Sequence, residues 1–468
     1  MMKKDVNKIL TYENKNQFAT LEEKEKKSVF DFCEDYRNFI TTAKTEREFC
    51  EDTCRVLETN GFVALEEKKQ LKPGDKVYTV NRGKGVIAAV IGKQPMEEGI
   101  NLVGAHIDSP RLDLKPNPLY EDQGIAYFKT HYYGGIKKYQ WTTIPLAIHG
   151  VAALQDGTQI KIVIGESEED PVFCVSDLLP HLASQQMAKK MPEVITGESL
   201  NVILGNIPIE DDDVKEGVKY HILTLLNEKY DITEEDLISS EIEVVPAFGA
   251  RDVGLDKSMI GGYGQDDRVC AYTALRAILD VKKPDKTAVC LLVDKEEVGS
   301  MGSTGMQSRY FENIIAKICA KTQKAYSDLV LRDCLSHSTC LSADVGAALD
   351  PNYPEVSEKR NSAILNCGLF LTKYTGSRGK GGASDADAEL VAKIRKIFNE
   401  NQVHWQIGEL GKVDAGGGGT IAQYVANLDM DVIDAGVPLL SMHSPFEIAG
   451  KLDIYMAYKG YREFYLHN

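Results

Sequence analysis

The stretch T-A-V-C-L-L-V-D-K-E-E-V-G-S-M-G-S-T-G, residues 287–305, decides how this chain is read. Residues 288–293 form an unbroken apolar run with the length and composition of a fully buried strand. Asp294, Lys295, Glu296 and Glu297 follow at once, and glycines at 299, 302 and 305 leave the backbone free to turn sharply. Open α/β sheets bind their ligands at the carboxyl ends of such strands. Two adjacent glutamates there can divide labour, one binding a metal while its neighbour handles a proton. The competing reading, a solvated acidic loop, would hold for a lone Glu-Glu pair. It loses ground because four other segments supply matching ligands.

Upstream lies G-A-H-I-D-S-P, residues 104–110, directly after the strand-like run 100–103. In extended backbone Asp108 points to the same side as His106. A carboxylate behind a histidine fixes the ring tautomer and raises its basicity as a ligand. Downstream, Asp266 and Asp267 in G-G-Y-G-Q-D-D-R open a helical pattern. The helix dipole favours acids in a first turn, so N-terminal capping is the ordinary explanation. One aspartate would suffice for that, however, and a carboxylate held there could bridge two cations. Asp344, in C-L-S-A-D-V-G, ends another apolar run, and His443, in L-L-S-M-H-S-P-F-E, stands near the end of a last one. The set His106, Asp266, Glu297, Asp344 and His443 suits two divalent ions sharing one carboxylate. Zinc accepts these ligands, and cobalt and manganese also suit.

The 468 residues predict two or three domains with ample core. A net charge of −16 argues against nucleic acid, whose binding needs clustered Lys and Arg. No apolar run reaches the roughly 18 to 20 residues of a membrane helix. The start M-M-K-K-D-V-N-K-I-L has positive charge but no apolar core behind it, so it reads as no secretory signal. Ten cysteines are scattered singly, without the spacing of a disulfide framework or zinc finger, and predict reduced thiols in a cytoplasm. Cys50 and Cys54 share a helix face with no histidine near.

The chain divides into a first part, 1–110, charged and helical and then strand-rich, a β-rich insertion, 111–249, and a return to α/β alternation over 250–468. Helical patterns interrupt the insertion near 177–190 and 214–229. Its histidines His131, His149, His181 and His221 are isolated and read as structural or exposed. In the last part Lys373, Arg378 and Lys380 concentrate positive charge that could receive a substrate carboxylate; a solvated basic loop explains them equally well. Glycines 416–419, among them Gly417 and Gly418, lack the Lys-Ser/Thr ending of a phosphate loop. They would allow close backbone approach to a peptide, or plain flexibility.

The motifs H-I-D-S-P (106–110), Q-D-D-R (265–268), D-K-E-E-V-G (294–299), S-A-D (342–344) and M-H-S (442–444) together resemble those of the aspartyl aminopeptidase and vacuolar aminopeptidase I family of co-catalytic zinc peptidases. They span almost the whole chain in family order. The resemblance implies one metal on His106, Asp266 and Asp344 and a second on Asp266, Glu297 and His443. Asp266 would bridge, Asp267 would stand behind the ligands, Asp108 would orient His106, and Glu296 would be the general base. The family also uses a histidine of the inserted domain in a neighbouring subunit's site, and I-P-L-A-I-H (144–149) resembles that element, which nominates His149. The implied fold is α/β, a zinc-peptidase domain with a central mixed sheet flanked by helices, split by a mostly-β dimerisation domain. Hollow tetrahedral dodecamers are the implied assembly. The region 366–390 is longer and richer in glycine than in aspartyl-specific members, so acidic and neutral N-terminal residues both stay open as substrates. No long N-terminal propeptide of the vacuolar kind is seen.

The expectation is therefore a metal-dependent aminopeptidase acting on peptides. A related dinuclear amidohydrolase, either a carboxypeptidase or an N-acyl deacylase, competes with it. So does an assembly scaffold with a vestigial metal site.

Overall fold

The computed structural model describes residues 10–211 and 213–468; apart from Leu10, the charged N-terminal stretch read above as no signal lies outside the described residues. A nine-stranded mixed sheet runs in the order Val63–Ala64, Lys76–Val80, Val86–Val90, Thr287–Val293, Ile100–His106, Thr339–Ser342, Asp431–Gly436, Leu369–Thr372, Trp405–Ile407. Its four middle strands, from Thr287–Val293 to Asp431–Gly436, are mutually parallel. Every residue of Thr287–Val293, Ile100–His106 and Thr339–Ser342 is buried, which explains their near-continuous apolar sequence: parallel strands are covered on both faces. The helices Glu23–Thr42, Glu46–Thr59, Gln265–Leu279, Ala388–Glu400 and Lys451–His467 contribute to one core, and Tyr310–Thr322, Asp328–Ser336 and Ala422–Ala426 to the other.

Local sequence explains these helices. Ala388–Glu400 buries Leu390, Ile394, Ile397 and Phe398, one stripe at helical spacing. Thr45 starts Glu46–Thr59 with a capping box, its hydroxyl accepting from the Glu48 amide while the Glu48 carboxylate accepts from the Thr45 amide.

Six further strands form an antiparallel sheet with its own core around the fully buried Trp141: Gln159–Ile164, Leu146–Ala153, Ser240–Pro246, Arg111–Asp122, Ile125–Tyr133 and Val202–Gly205. The helical pattern expected near 214–229 is realised as Gly217–Tyr230. The one expected near 177–190 shrinks to the short turns Pro180–Leu182 and Ser184–Met187. Its large apolar residues find no core: Leu178, Leu179, Leu182 and Met187 are all exposed, and only the small Ala183 is buried. A third sheet is built from Arg251–Val253, Met259–Gly262, Glu447–Gly450, Pro438–Leu440 and Gly346–Ala347, strands that follow the inserted sheet and alternate along the chain with later strands of the nine-stranded one. The chain leaves the nine-stranded sheet at His106, and the inserted sheet begins at Arg111. The ends of the insertion therefore lie close to the ends of the parallel strands. Among the described residues no helix is long and apolar enough to cross a membrane.

Candidate active site

The parallel strands bring the predicted residues together at their carboxyl ends. His106 is the last residue of its strand, and Asp344 stands two residues beyond Ser342. Glu296 and Glu297 follow Thr287–Val293 after a turn in which Lys295 and Gly299 take left-handed backbone (φ +69° and +93°). Asp294 pins that turn, its Oδ1 accepting from the Lys295 amide at 2.8 Å and its Oδ2 from the Thr304 hydroxyl at 2.6 Å.

Asp266 and Asp267, joined by a cis peptide, lie at the head of Gln265–Leu279 with non-helical backbone, and neither side chain caps the helix. Capping is therefore not their use. Arg268 fixes the entry: fully buried, it donates to the carbonyls of Ala43 at 2.6 Å and Gly264 at 3.0 Å. Gly264 has φ +69°, and a Cβ there would stand 1.4 Å from the Arg268 guanidinium, so only glycine fits.

The two oxygens of Asp266 are divided between the two histidines. Oδ1 lies 3.2 Å from His106 Nε2 and Oδ2 lies 3.0 Å from His443 Nε2. Glu297 Oε1 is 3.3 Å from the same His443 nitrogen. One donor atom each of Asp266, Glu297 and His443 fall within 4.8 Å of one another, and so do those of His106, Asp267 and Asp344. The second cluster contains Asp267, which the sequence reading placed behind the ligands. Glu296 Oε2 stands 3.8 Å from His106 Nε2, and its carboxylate makes no hydrogen bond among the described residues.

The electrostatics match a cation site. Burial pushes the carboxyls of Glu297, Asp344 and Asp267 well above the usual range, and neighbouring acids add to the rise. Burial also lifts Glu296 to about 7, with His106 opposing and Asp266 and Asp108 reinforcing. Burial works against the His106 and His443 cations, yet the carboxylates around them raise both, His443 to about 10. Glu297 Oε1 and Asp267 Oδ1 are buried without any hydrogen-bond partner. Crowded acids with orphaned oxygens, two imidazoles and no lysine or arginine among them are what divalent ions neutralise, so the donor set fits zinc.

Asp108 stands behind His106. Its Oδ1 faces His106 Nδ1 at 3.2 Å and accepts from the Glu296 amide at 3.1 Å; its Oδ2 accepts from the Glu297 amide at 3.2 Å. Sequence reasoning missed two further contributors. Glu447 accepts from the amides of Asp266 (3.1 Å) and His443 (2.7 Å). The segment Tyr133, Gly134, Gly135 of the insertion touches Asp108, Glu297 and His443. Glu447 carried a signal, standing four residues beyond His443; the Tyr-Gly-Gly run carried only its glycines.

The remaining predicted residues meet mixed outcomes. His149 is buried on its own strand, with Nδ1 2.8 Å from Glu48 and Nε2 2.8 Å from Glu166. Both ring nitrogens face carboxylates of the same subunit. A cavity of about 440 Å³ opens from the acidic cluster and is lined by Arg378, Lys380, Gly417 and Gly418, but not by Lys373. Lys373 and Lys380 both pair with Asp385, at 2.8 and 2.6 Å, so neither is an uncommitted anion receptor. Arg378 has no ion pair among the described residues. The glycines pack against the chain itself: Gly376–Ser377 pairs with Gly417–Gly418, and a Cβ on Gly417 would stand 2.6 Å from Ser377 Cβ.

Comparison with known proteins identifies the family. The profile described as Aminopeptidase I zinc metalloprotease (M18) matches residues 39–465. The probable M18 family aminopeptidase 1 of Clostridium acetobutylicum is 54% identical over 459 residues, covering 97% of this chain and 98% of its own. The crystal structure of the M18 aminopeptidase from Thermotoga maritima superposes with a TM-score of 0.94 at 48% identity, covering 98% of this chain and all of that one. The S. cerevisiae mApe1 dodecamer shares the fold, with a TM-score of 0.75 at 21% identity over 93% of this chain and 96% of its own. The chain belongs to the M18 family of aminopeptidase I zinc metalloproteases and is a metalloaminopeptidase.

Proposed function

We propose that this aminopeptidase releases single N-terminal residues from peptides by using Glu296 as general base beside two divalent ions. The observation that carries the reading is Asp266, whose two oxygens face His106 on one side and His443 on the other. His106, Asp266 and Asp344 would hold one ion, and Asp266, Glu297 and His443 the other, with Asp267 supporting the first set. When bound, such ions polarise a carbonyl and make water acidic near neutral pH. The protein's own part is then to move a proton. Glu296 takes it from the attacking water and returns it to the leaving amine, a role suited to a carboxyl that burial lifts to about 7. Asp108 holds the amides of Glu296 and Glu297 and so sets where both carboxylates point.

The cavity supports a place for the side chain of the N-terminal residue. Phe370, Leu410 and Val413 in its lining favour a neutral side chain, since Asp385 neutralises Lys373 and Lys380. Arg378 is the cation that would admit an acidic one. The exposed Leu178, Leu179, Leu182, Met187 and Met191 support subunit contacts through the insertion, and the dodecamer of the yeast relative is the assembly we infer. Ten free cysteines, most of them buried, support a reducing, cytoplasmic setting.

The test compares a peptide with a free amino terminus and its N-acetylated form, assayed with zinc, cobalt and manganese. Cleavage of the free peptide alone is expected. Equal cleavage of both would replace the aminopeptidase mechanism with that of a general amidohydrolase. Glu296→Gln should keep the metal and lose hydrolysis by at least about 100-fold.

A further inference from the structure

We propose that the turn Tyr133–Gly134–Gly135 of the inserted sheet is a positioning element that holds both histidines of the metal site. This rests on the metal reading above and extends it to a part of the chain that supplies no ligand.

The turn makes three separate contacts. The Tyr133 phenol donates to Asp108 Oδ2 at 2.8 Å. Asp108 thereby accepts from four groups: that phenol, His106 Nδ1 and the amides of Glu296 and Glu297. Its Oδ1 takes the imidazole and the Glu296 amide, and its Oδ2 takes the phenol and the Glu297 amide, so both oxygens are committed. The Gly135 carbonyl accepts from His443 Nδ1 at 2.8 Å, which leaves Nε2 as the free donor atom, aimed at Asp266 and Glu297. Between them Gly134, at φ +73°, lies against Glu297. A Cβ there would stand 3.0 Å from Glu297 Oε2 and 3.3 Å from Glu297 Cβ.

The turn itself is rigidly seated. The Arg111 guanidinium lies 3.9 Å from the centre of the Tyr133 ring. That guanidinium is fixed in turn by Asp113 at 2.8 Å, Glu243 at 3.2 Å and Glu46 at 3.5 Å. Glu46 belongs to the helix Glu46–Thr59 and Glu243 to the inserted sheet, so both parts of the molecule grip the ring. An inserted sheet that served only to join subunits would have no need to place a phenol on Asp108 and a carbonyl on His443.

Tyr133→Phe removes one hydroxyl and keeps the ring on Arg111. The expected result is zinc bound about 10- to 100-fold more weakly in competition with a chelator. A lower kcat at saturating zinc, a nearly unchanged KM and an unaltered melting temperature of the zinc-free protein should accompany it. Because Tyr133 acts through Asp108, Tyr133→Phe should add little to Asp108→Asn in a double-mutant cycle. Wild-type zinc affinity and kcat in Tyr133→Phe would overturn the proposal, as would losses that add in full to those of Asp108→Asn. If Tyr133→Phe lowers the melting temperature of the zinc-free protein, Gly134→Ala decides. It leaves the phenol in place and presses on Glu297, so weakened zinc supports the proposal and wild-type affinity refutes it. Failure of the wild-type protein to bind zinc would instead sink the metal reading on which all this rests.

Discussion

Glu447 accepts from the backbone of both Asp266 and His443, two residues the sequence holds far apart. It is 1% exposed, and burial with the nearby Asp266 lifts its carboxyl to about 8. Glu447→Ala would leave two buried amides unpaired at about 1–3 kcal/mol each. We expect kcat/KM to fall at least about tenfold, because Asp266 and His443 both lose their backbone anchor; steady-state kinetics and zinc content check this. The principal acids and histidines were legible in the sequence because each follows an apolar run or opens a helix, and strand ends are where such sheets keep their chemistry. Tyr133 was not legible. Its role depends on a tertiary approach between a β-hairpin and a loop, and no local pattern records that approach. Nor does any local pattern show that the His149 ring lies between Glu48 and Glu166.

At the scale of elements, His149 belongs to a seam between the helix Glu46–Thr59 and the inserted sheet, where Lys44 also pairs with Glu166 at 2.6 Å. Burial disfavours the imidazolium, but hydrogen bonds to Glu166 and Glu48 outweigh it and raise the His149 pKa in the folded protein. Its contribution is therefore whole below the unfolded value of about 6.5 and is lost as pH rises through the folded one. Burial lifts Glu48 and Glu166, yet bonds from His149 and Lys44 hold both below the ordinary range. Their contribution is whole above about 4.3 and fades as pH falls. Urea unfolding between pH 6 and 9 should show wild-type stability declining, and His149→Gln, weaker by about 3 kcal/mol at pH 6, declining less. The loops around the cavity carry a second prediction. Gly417→Ala forces Ser377 away, so KM should rise about threefold or more while zinc content stays unchanged, within the cost typical of overpacking. The glycine run had suggested either flexibility or contact with substrate; Gly417 lies against Ser377 and Gly376 of the basic loop, Gly416 and Gly418 against Leu410, and Gly419 against Gln423.

At the scale of the whole molecule, the three sheets meet around one acidic cluster, and four of the exposed apolar residues of the insertion lie in the segment that failed to become the expected helix. Leu178, Leu179, Leu182 and Met187 are exposed together, the kind of patch that subunit contacts use, and they carry the assembly proposed above. Replacing Leu182 and Met187 together with Asp should yield a smaller species in analytical ultracentrifugation that still binds zinc. An unchanged sedimentation coefficient would remove this surface from the assembly. The β-rich insertion was readable from its turns and alternating strands, whereas the missing helix was not, because subunit contact can use the same apolar spacing as a core.

Scattering the donors from His106 to His443 also bears on how the enzyme is born. His443 and the helix Lys451–His467 leave the ribosome later than the other donors gathered around the cluster. On the metal reading proposed above, a chain broken off before His443 would lack one imidazole of the cluster and should hold zinc poorly.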